Sequence, residues 1–183
     1  MSPHANFWAA IASPISENQT FTDWYRAHLP VIRPLCEALF ASGPSTLTWP
    51  ERTRQTSALL HSEKQYRYVR QTGGFHMFAR LDLSTASAEE DRLYIDFIEW
   101  PNPHTDQMLP LNHNQDWLVI FPALLKGLWE GLQKHQLPKG KWVINKVVMH
   151  PLESRPIDFY LCGRNVMQEL SEHQATLNAK RSS

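Results

Sequence analysis

Few side chains in this chain are of a type and spacing to do chemistry. His104 and His113, with Asp106 and Asp116, carry the donor atoms of a metal centre. A metal needs ligands at spacings that a helix or turn can bring together, and this set matches no ligand pattern, so it reads as the polar side chains of a solvated loop. Paired carboxylates would serve as acid and base. Glu89, Glu90 and Asp91 are consecutive, which fits a solvated turn, and Asp96 and Glu99 are an odd number of residues apart in an extended segment, hence on opposite faces. No G-x-x-x-x-G-K-S/T phosphate loop, G-x-S-x-G elbow, H-E-x-x-H helix or G-x-G-x-x-G fingerprint occurs. The expected class is non-catalytic, without cofactor or metal. The remaining site-like feature is Gly73-Gly74 between two apolar runs, a step that supplies positive φ at no steric cost and reads as a tight reversal between paired strands.

Elements that could position such a turn follow from periodicity. Residues 1–19 hold Phe7, Trp8 and Ile11, fitting a short helix or arm that pins aromatics to the main body. From Thr22, a plausible N-cap, Tyr25, Leu29, Ile32, Cys36 and Leu39 follow helical spacing. Pro30 and Pro34 interrupt it, so two consecutive helices or one kinked helix are expected. Ser42-Gly43-Pro44-Ser45 is the best boundary. Strand-like segments follow near Leu47–Trp49, Arg52–Leu60, Tyr66–Arg70, Phe75–Leu83 and Arg92–Trp100, with 84–91 as a hairpin connection and 101–116 as a long polar loop. A helix opens at Ile120 or Phe121, with Leu124, Leu125, Leu128 and Leu132 inward and Pro122 expected in its first turn. A strand from Trp142 to Met149 and a helix from Pro156 or Asp158 complete the chain, with the tail after Ala175 frayed. This order predicts an α+β two-layer sandwich.

Bulk composition sets outer bounds. The 183 residues suffice for one sizeable core plus an appended helical segment. Eighteen basic and eighteen acidic side chains balance to zero, unlike the basic excess of a dedicated nucleic-acid binder. Cys36 and Cys162 lack C-x-x-C spacing and read as small buried hydrophobes. No 18-residue apolar stretch and no basic-then-apolar N-terminus occur, so a cytoplasmic protein away from membranes is expected. Trp49, Trp100, Trp117 and Trp142, four of seven tryptophans, sit near element ends; they are core residues or, if exposed together, a protein-binding patch.

Three segments carry a resemblance. Phe121-Pro122-Ala123-Leu124-Leu125-Lys126-Gly127-Leu128-Trp129-Glu130-Gly131-Leu132-Gln133 is similar to a family helix reading roughly I-P-A-V-x-x-G-I-x-E-A-M-Q. Upstream, Tyr66-Arg67-Tyr68-Val69-Arg70-Gln71-Thr72-Gly73-Gly74 resembles a strand-to-loop segment ending in Q-S/T-G-G; downstream, Met149-His150-Pro151-Leu152-Glu153-Ser154 resembles a Y-H-x-V-D-S loop. In this order they resemble domain IV of bacterial elongation factor G, over about residues 49 to 170. The resemblance implies a stand-alone domain without the GTPase module: a helical arm at 1–45, the domain IV-like sandwich at 46–175 with a ribosomal-protein-like βαβ unit of left-handed crossover, and a flexible tail at 176–183. It also implies that the two loops share one extremity of the sheet and contact structured RNA of the ribosome or transfer RNA.

Carried across by position, the RNA-contacting set is Gln71, Thr72, Gly73 and Gly74 with His150, Glu153 and Ser154, and Arg70, His76, Arg80 and Arg155 add positive charge. The family's polar run after G-G is replaced by Phe75-His76-Met77-Phe78. That replacement and the zero net charge point to the alternative, a protein-interaction or regulatory module that keeps the fold. An enzyme is the third expectation, since the same general fold hosts small-molecule kinases and dehydratases.

Overall fold

A computed structural model describes residues 3–40, 45–50, 62–72, 75–88, 90–95, 99–101, 108–110, 117–148 and 154–181. The first helix, α1 (Pro3–Ala12), opens with proline, whose missing N–H would be unpaired there in any case. It buries Phe7, Trp8 and Ile11 on one side. Helix α2 (Phe21–Phe40) follows, buries Trp24, Tyr25, Ile32 and Cys36, and is continuous through Pro30 and Pro34. Both prolines occupy exposed positions one turn apart, so the carbonyls deprived of helical donors, those of Arg26 and Pro30, lie on the solvent side.

The cap of α2 is Thr20 rather than Thr22. Thr20 Oγ1 accepts the Asp23 N–H at 3.2 Å while the Asp23 carboxylate accepts the Thr20 N–H at 3.3 Å, a reciprocal arrangement that satisfies two helix-start donors. The hydroxyl of Thr20 also donates to Asp23, and these bonds hold the Asp23 carboxyl below the usual carboxylate range.

The rest of the molecule is α+β. In chain order come β1 (Ser45–Thr48), β2 (Ser62–Thr72), β3 (Phe75–Ser87), β4 (Arg92–Ile95), β5 (Glu99–Pro101), β6 (Met108–Pro110), α3 (Trp117–Lys134), β7 (Gly140–Val148) and α4 (Pro156–Arg181). Five strands form one sheet in the order β1-β4-β7-β3-β2, and β5 pairs with β6 in a separate ribbon. All neighbours are antiparallel except β4 and β7, which are parallel and joined through α3.

Several expectations are corrected here. Segment 84–91 is not a hairpin connection: β3 continues to Ser87, and β7 lies between β3 and β4. The extended segment at 92–100 is described as two strands in different sheets, and part of the expected loop at 101–116 pairs as β6. Helix α3 starts at Trp117, which puts Pro122 in the second turn and leaves the Leu118 carbonyl without its helical donor. Helix α4 runs on to Arg181, beyond the expected fraying point at Ala175. The strand expected at 52–60 and the boundary at Gly43-Pro44 lie outside the described residues.

One face of the sheet supplies the core. Leu47, Leu81, Leu83, Leu93, Ile95, Trp142, Ile144 and Val147 are buried, while Asp82, Ser84, Tyr94 and Asn145 on the other face are half-exposed or exposed. The β7 phase changes at Asn145: Asp82 pairs with Lys146 but Leu83 with Ile144, a bulge that keeps Lys146 out of the core while turning both Ile144 and Val147 into it.

Helix α3 is buried on every side from Ile120 to Trp129, wider than the single leucine stripe expected. The cause is that α1 and α2 pack on it from one direction and α4 from another, so residues of all four helices and of the sheet form one buried cluster. Cys36 and Cys162 lie in that cluster and are not joined in a disulfide. No helix among the described residues is long and apolar enough to cross a membrane.

Candidate functional site

The expected binding segments emerge from strands whose register is clear. Strands β2 and β3 pair without interruption from Ser62 opposite Thr85 to Thr72 opposite Phe75, so they form a hairpin in which the chain reverses between Thr72 and Phe75. Strand β7 runs antiparallel to β3 and its last residue, Val148, sits opposite Arg80. The chain therefore leaves β7 at the same end of the sheet as the hairpin turn. Five residues of β3, Phe75 to Ala79, extend past that point, so the hairpin projects beyond β7 by roughly 15 Å at the usual rise of a strand.

Individual residues of the expected set are placed as follows. Arg70, Gln71 and Thr72 end β2, and His76 pairs with Gln71 across the hairpin. Gly73, Gly74, His150 and Glu153 lie outside the described residues. Ser154, half-buried, and Arg155, exposed, immediately precede α4.

Two of the cations are already engaged. Arg155 is the cap of α4: its backbone N–H donates to the fully buried Asp158 carboxylate at 2.9 Å, and its guanidinium reaches the same carboxylate at 3.3 Å. Proline at the first helical position and aspartate at the third make this start self-sufficient. Arg80 donates to both oxygens of Asp82, at 3.0 and 3.2 Å. Neither guanidinium offers its full charge to a phosphate.

The carboxylates read as a solvated turn divide. Glu90 is exposed and pairs with Arg92, whereas Asp91 Oδ1 accepts the Gly140 N–H at 3.2 Å and the Trp142 indole N–H at 3.1 Å. Asp91 thus fastens the start of β7 to that of β4, which one-dimensional spacing could not reveal. Among the described residues no group of three or more His, Cys, Asp or Glu is placed to hold a metal ion; His104, Asp106, His113 and Asp116 lie outside them.

A polar network inside the helical layer was not anticipated. Lys126 is 1% exposed, donates to the Ser13 carbonyl, stands 3.1 Å from Glu130 and lies 4.5 Å from the centre of the Trp24 ring. Burial lowers its amine below the ordinary lysine range, opposed by the Glu130 charge. Tyr160 donates to the other oxygen of Glu130 and accepts from Arg164; burial, then the Glu130 bond, push its phenol up to about 12.

Beside it, Ser13 Oγ lies 3.2 Å from His28 Nε2, and His28 Nδ1 lies 2.7 Å from the Trp24 carbonyl. That geometry makes Nδ1 the donor and Nε2 an acceptor, the order of a nucleophile, its base and an orienting group. Ser13, however, gives its single hydroxyl proton to the Ala10 carbonyl at 2.7 Å and so has none for Nε2, and it sits at the end of α1, where the helix dipole is negative and disfavours a developing oxyanion. The network joins α1, α2, α3 and α4. No protein-family model and no curated protein matches the chain.

Trp142 is fully buried and Trp49 nearly so, the core outcome for two of the four element-end tryptophans; the side chains of Trp100 and Trp117 lie outside the description. Trp49 does not pack alone. Its ring centre is 5.1 Å from Trp8 and 6.1 Å from Trp129, a cluster linking α1, the end of β1 and α3.

Proposed function

We propose that the chain is a non-catalytic, stand-alone binding protein with a fold like domain IV of elongation factor G, in which the β4–α3–β7 crossover is left-handed and two loops engage structured RNA of the ribosome or transfer RNA. The observation that carries this reading is the shared exit. Strand β7 gives way to the segment holding His150, Glu153 and Ser154 at the same end of the sheet as the β2–β3 turn with Gln71, Thr72 and the two glycines. Glycines allow close backbone approach to phosphate, and the glutamine, threonine and histidine offer hydrogen bonds to sugars and base edges.

Ribosome co-sedimentation tests it. A Gly73→Asp, His150→Ala double variant is expected to lose about tenfold in association, as removal of one or two good contacts would give. Equal association of parent and variant overturns the assignment. The second reading, a protein-interaction module, is favoured by zero net charge and by the pairing of Arg80 and Arg155 with aspartates. Capture of a partner that survives nuclease treatment, with no ribosome association, would select it.

A further inference from the structure

Two buried indole N–H groups have acceptors: Trp24 donates to Ser13 Oγ at 3.0 Å and Trp142 to Asp91 Oδ1. Two others among the described residues do not. Trp8 and Trp49 are each 4% exposed, and both indole nitrogens are covered without any hydrogen-bond partner. An uncompensated buried donor is costly, and proteins keep few of them. That both belong to the same place is the informative point.

The place is a cleft of about 400 Å³ between α1 and the end of β1. Ala5, Ala9 and Ala12 recur along one side of α1 and leave room, while Trp8, Trp49 and Pro50 form apolar walls. Thr48 adds a hydroxyl side chain, and among the described residues no ionisable one lines the cleft. The volume lies within the range of small-molecule sites, and the pattern of apolar walls with a few polar groups is that of such sites.

We infer that this cleft binds an uncharged, largely apolar small molecule that presents a carbonyl-type acceptor to the indole N–H of Trp8 or Trp49. The chemistry of the walls sets each property. Indole nitrogen donates only, so the ligand brings the acceptor. A charged ligand would leave water for described walls that are apolar and offer no countercharge, so the ligand inferred is neutral. Since both nitrogens are covered by neighbouring atoms, engagement turns the rings and alters their packing with Trp129, 6.2 Å from Trp8.

The test uses the full chain with ¹⁵N-labelled indoles, assigned through Trp8→Phe and Trp49→Phe, and cyclohexanone as the probe. Expected is a saturable downfield shift of the Trp8 or Trp49 N–H signal, with toluene giving no downfield shift and cyclohexanecarboxylate binding at least about tenfold more weakly. Ala9 is exposed on α1, so Ala9→Leu fills the cleft without disturbing the core and is expected to abolish the shift. No saturable shift in the parent, the same downfield shift with toluene, or equal binding of the carboxylate overturns the proposal. An undiminished shift in folded Ala9→Leu overturns the location.

Discussion

Gly127 lies directly against the backbone of Tyr160: a Cβ added to Gly127 would stand 2.1 Å from the Tyr160 carbonyl oxygen. The contact is reciprocal, since a Cβ on Gly163 would come within 2.7 Å of the Leu124 oxygen and of the Leu128 nitrogen. Helices α3 and α4 therefore meet backbone to backbone, and neither obstacle is a flexible side chain that could swing away. Alanine at either position gains about 1 kcal/mol of helix propensity but forces the helices apart in a close-packed core. Gly127→Ala and Gly163→Ala are each expected to lower stability by about 1–3 kcal/mol net, measured by urea unfolding. Because both changes separate the same pair, the double variant should fall short of the sum. A single alanine variant as stable as the parent would show that the crossing is looser than described.

Asp91 gives a sharper chemical contrast. Its Oδ1 takes the Gly140 and Trp142 donors, and its backbone oxygen takes the backbone N–H of Trp49 at 3.2 Å. Asp91→Asn keeps an oxygen able to accept both side-chain-directed bonds. Asp91→Ala removes it and strands the fully buried Trp142 indole, at a cost of about 1–3 kcal/mol. The expected order of urea midpoints is parent, then asparagine, then alanine, at unchanged slope. An alanine variant as stable as the asparagine one would mean that the indole finds another acceptor.

Local signals carried much of this architecture. Alternation found the β4 strand, the glycine pair marked the β2–β3 reversal, and Pro156 with Asp158 announced α4. The errors were those of pairing and layering. Nothing local tells that β7 inserts between β3 and β4, or that α1 and α2 cover the outer side of α3 and so bury Lys126. Gly127 acquires its physical reason only from Tyr160, far along the chain. The same limit applies to sites: the unsatisfied indoles of Trp8 and Trp49 are invisible until their neighbours are known.

Alkaline pH offers a readout of the helical core. Burial, then the Glu37 charge, raise the Cys36 thiol above its ordinary 9.0, and burial, then the charge of Cys36, raise the Tyr25 phenol above 10.0. Tyr160 is pushed up to about 12. For each, the folded chain holds its proton more tightly than the unfolded one, so the stability it contributes is intact below the ordinary value and is lost as pH rises towards the folded value. Lys126 runs the other way: its lowered amine makes stability rise with pH up to the ordinary 10.5. Between pH 9 and 10 the thiol alone opposes the amine, and above pH 10 the two phenols join it. The urea midpoint is therefore expected to stay nearly level from pH 9 to 10 and to fall above pH 10, with each group contributing at most about 1.4 kcal/mol per pH unit. Cys36→Ala should turn the level stretch between pH 9 and 10 into a rise, whatever its effect at neutral pH, because the unfolded thiol is the group whose ionisation offsets the amine there while the phenols wait until 10.0. An unchanged slope in that variant would mean that the thiol ionises as readily in the folded chain as in the unfolded one.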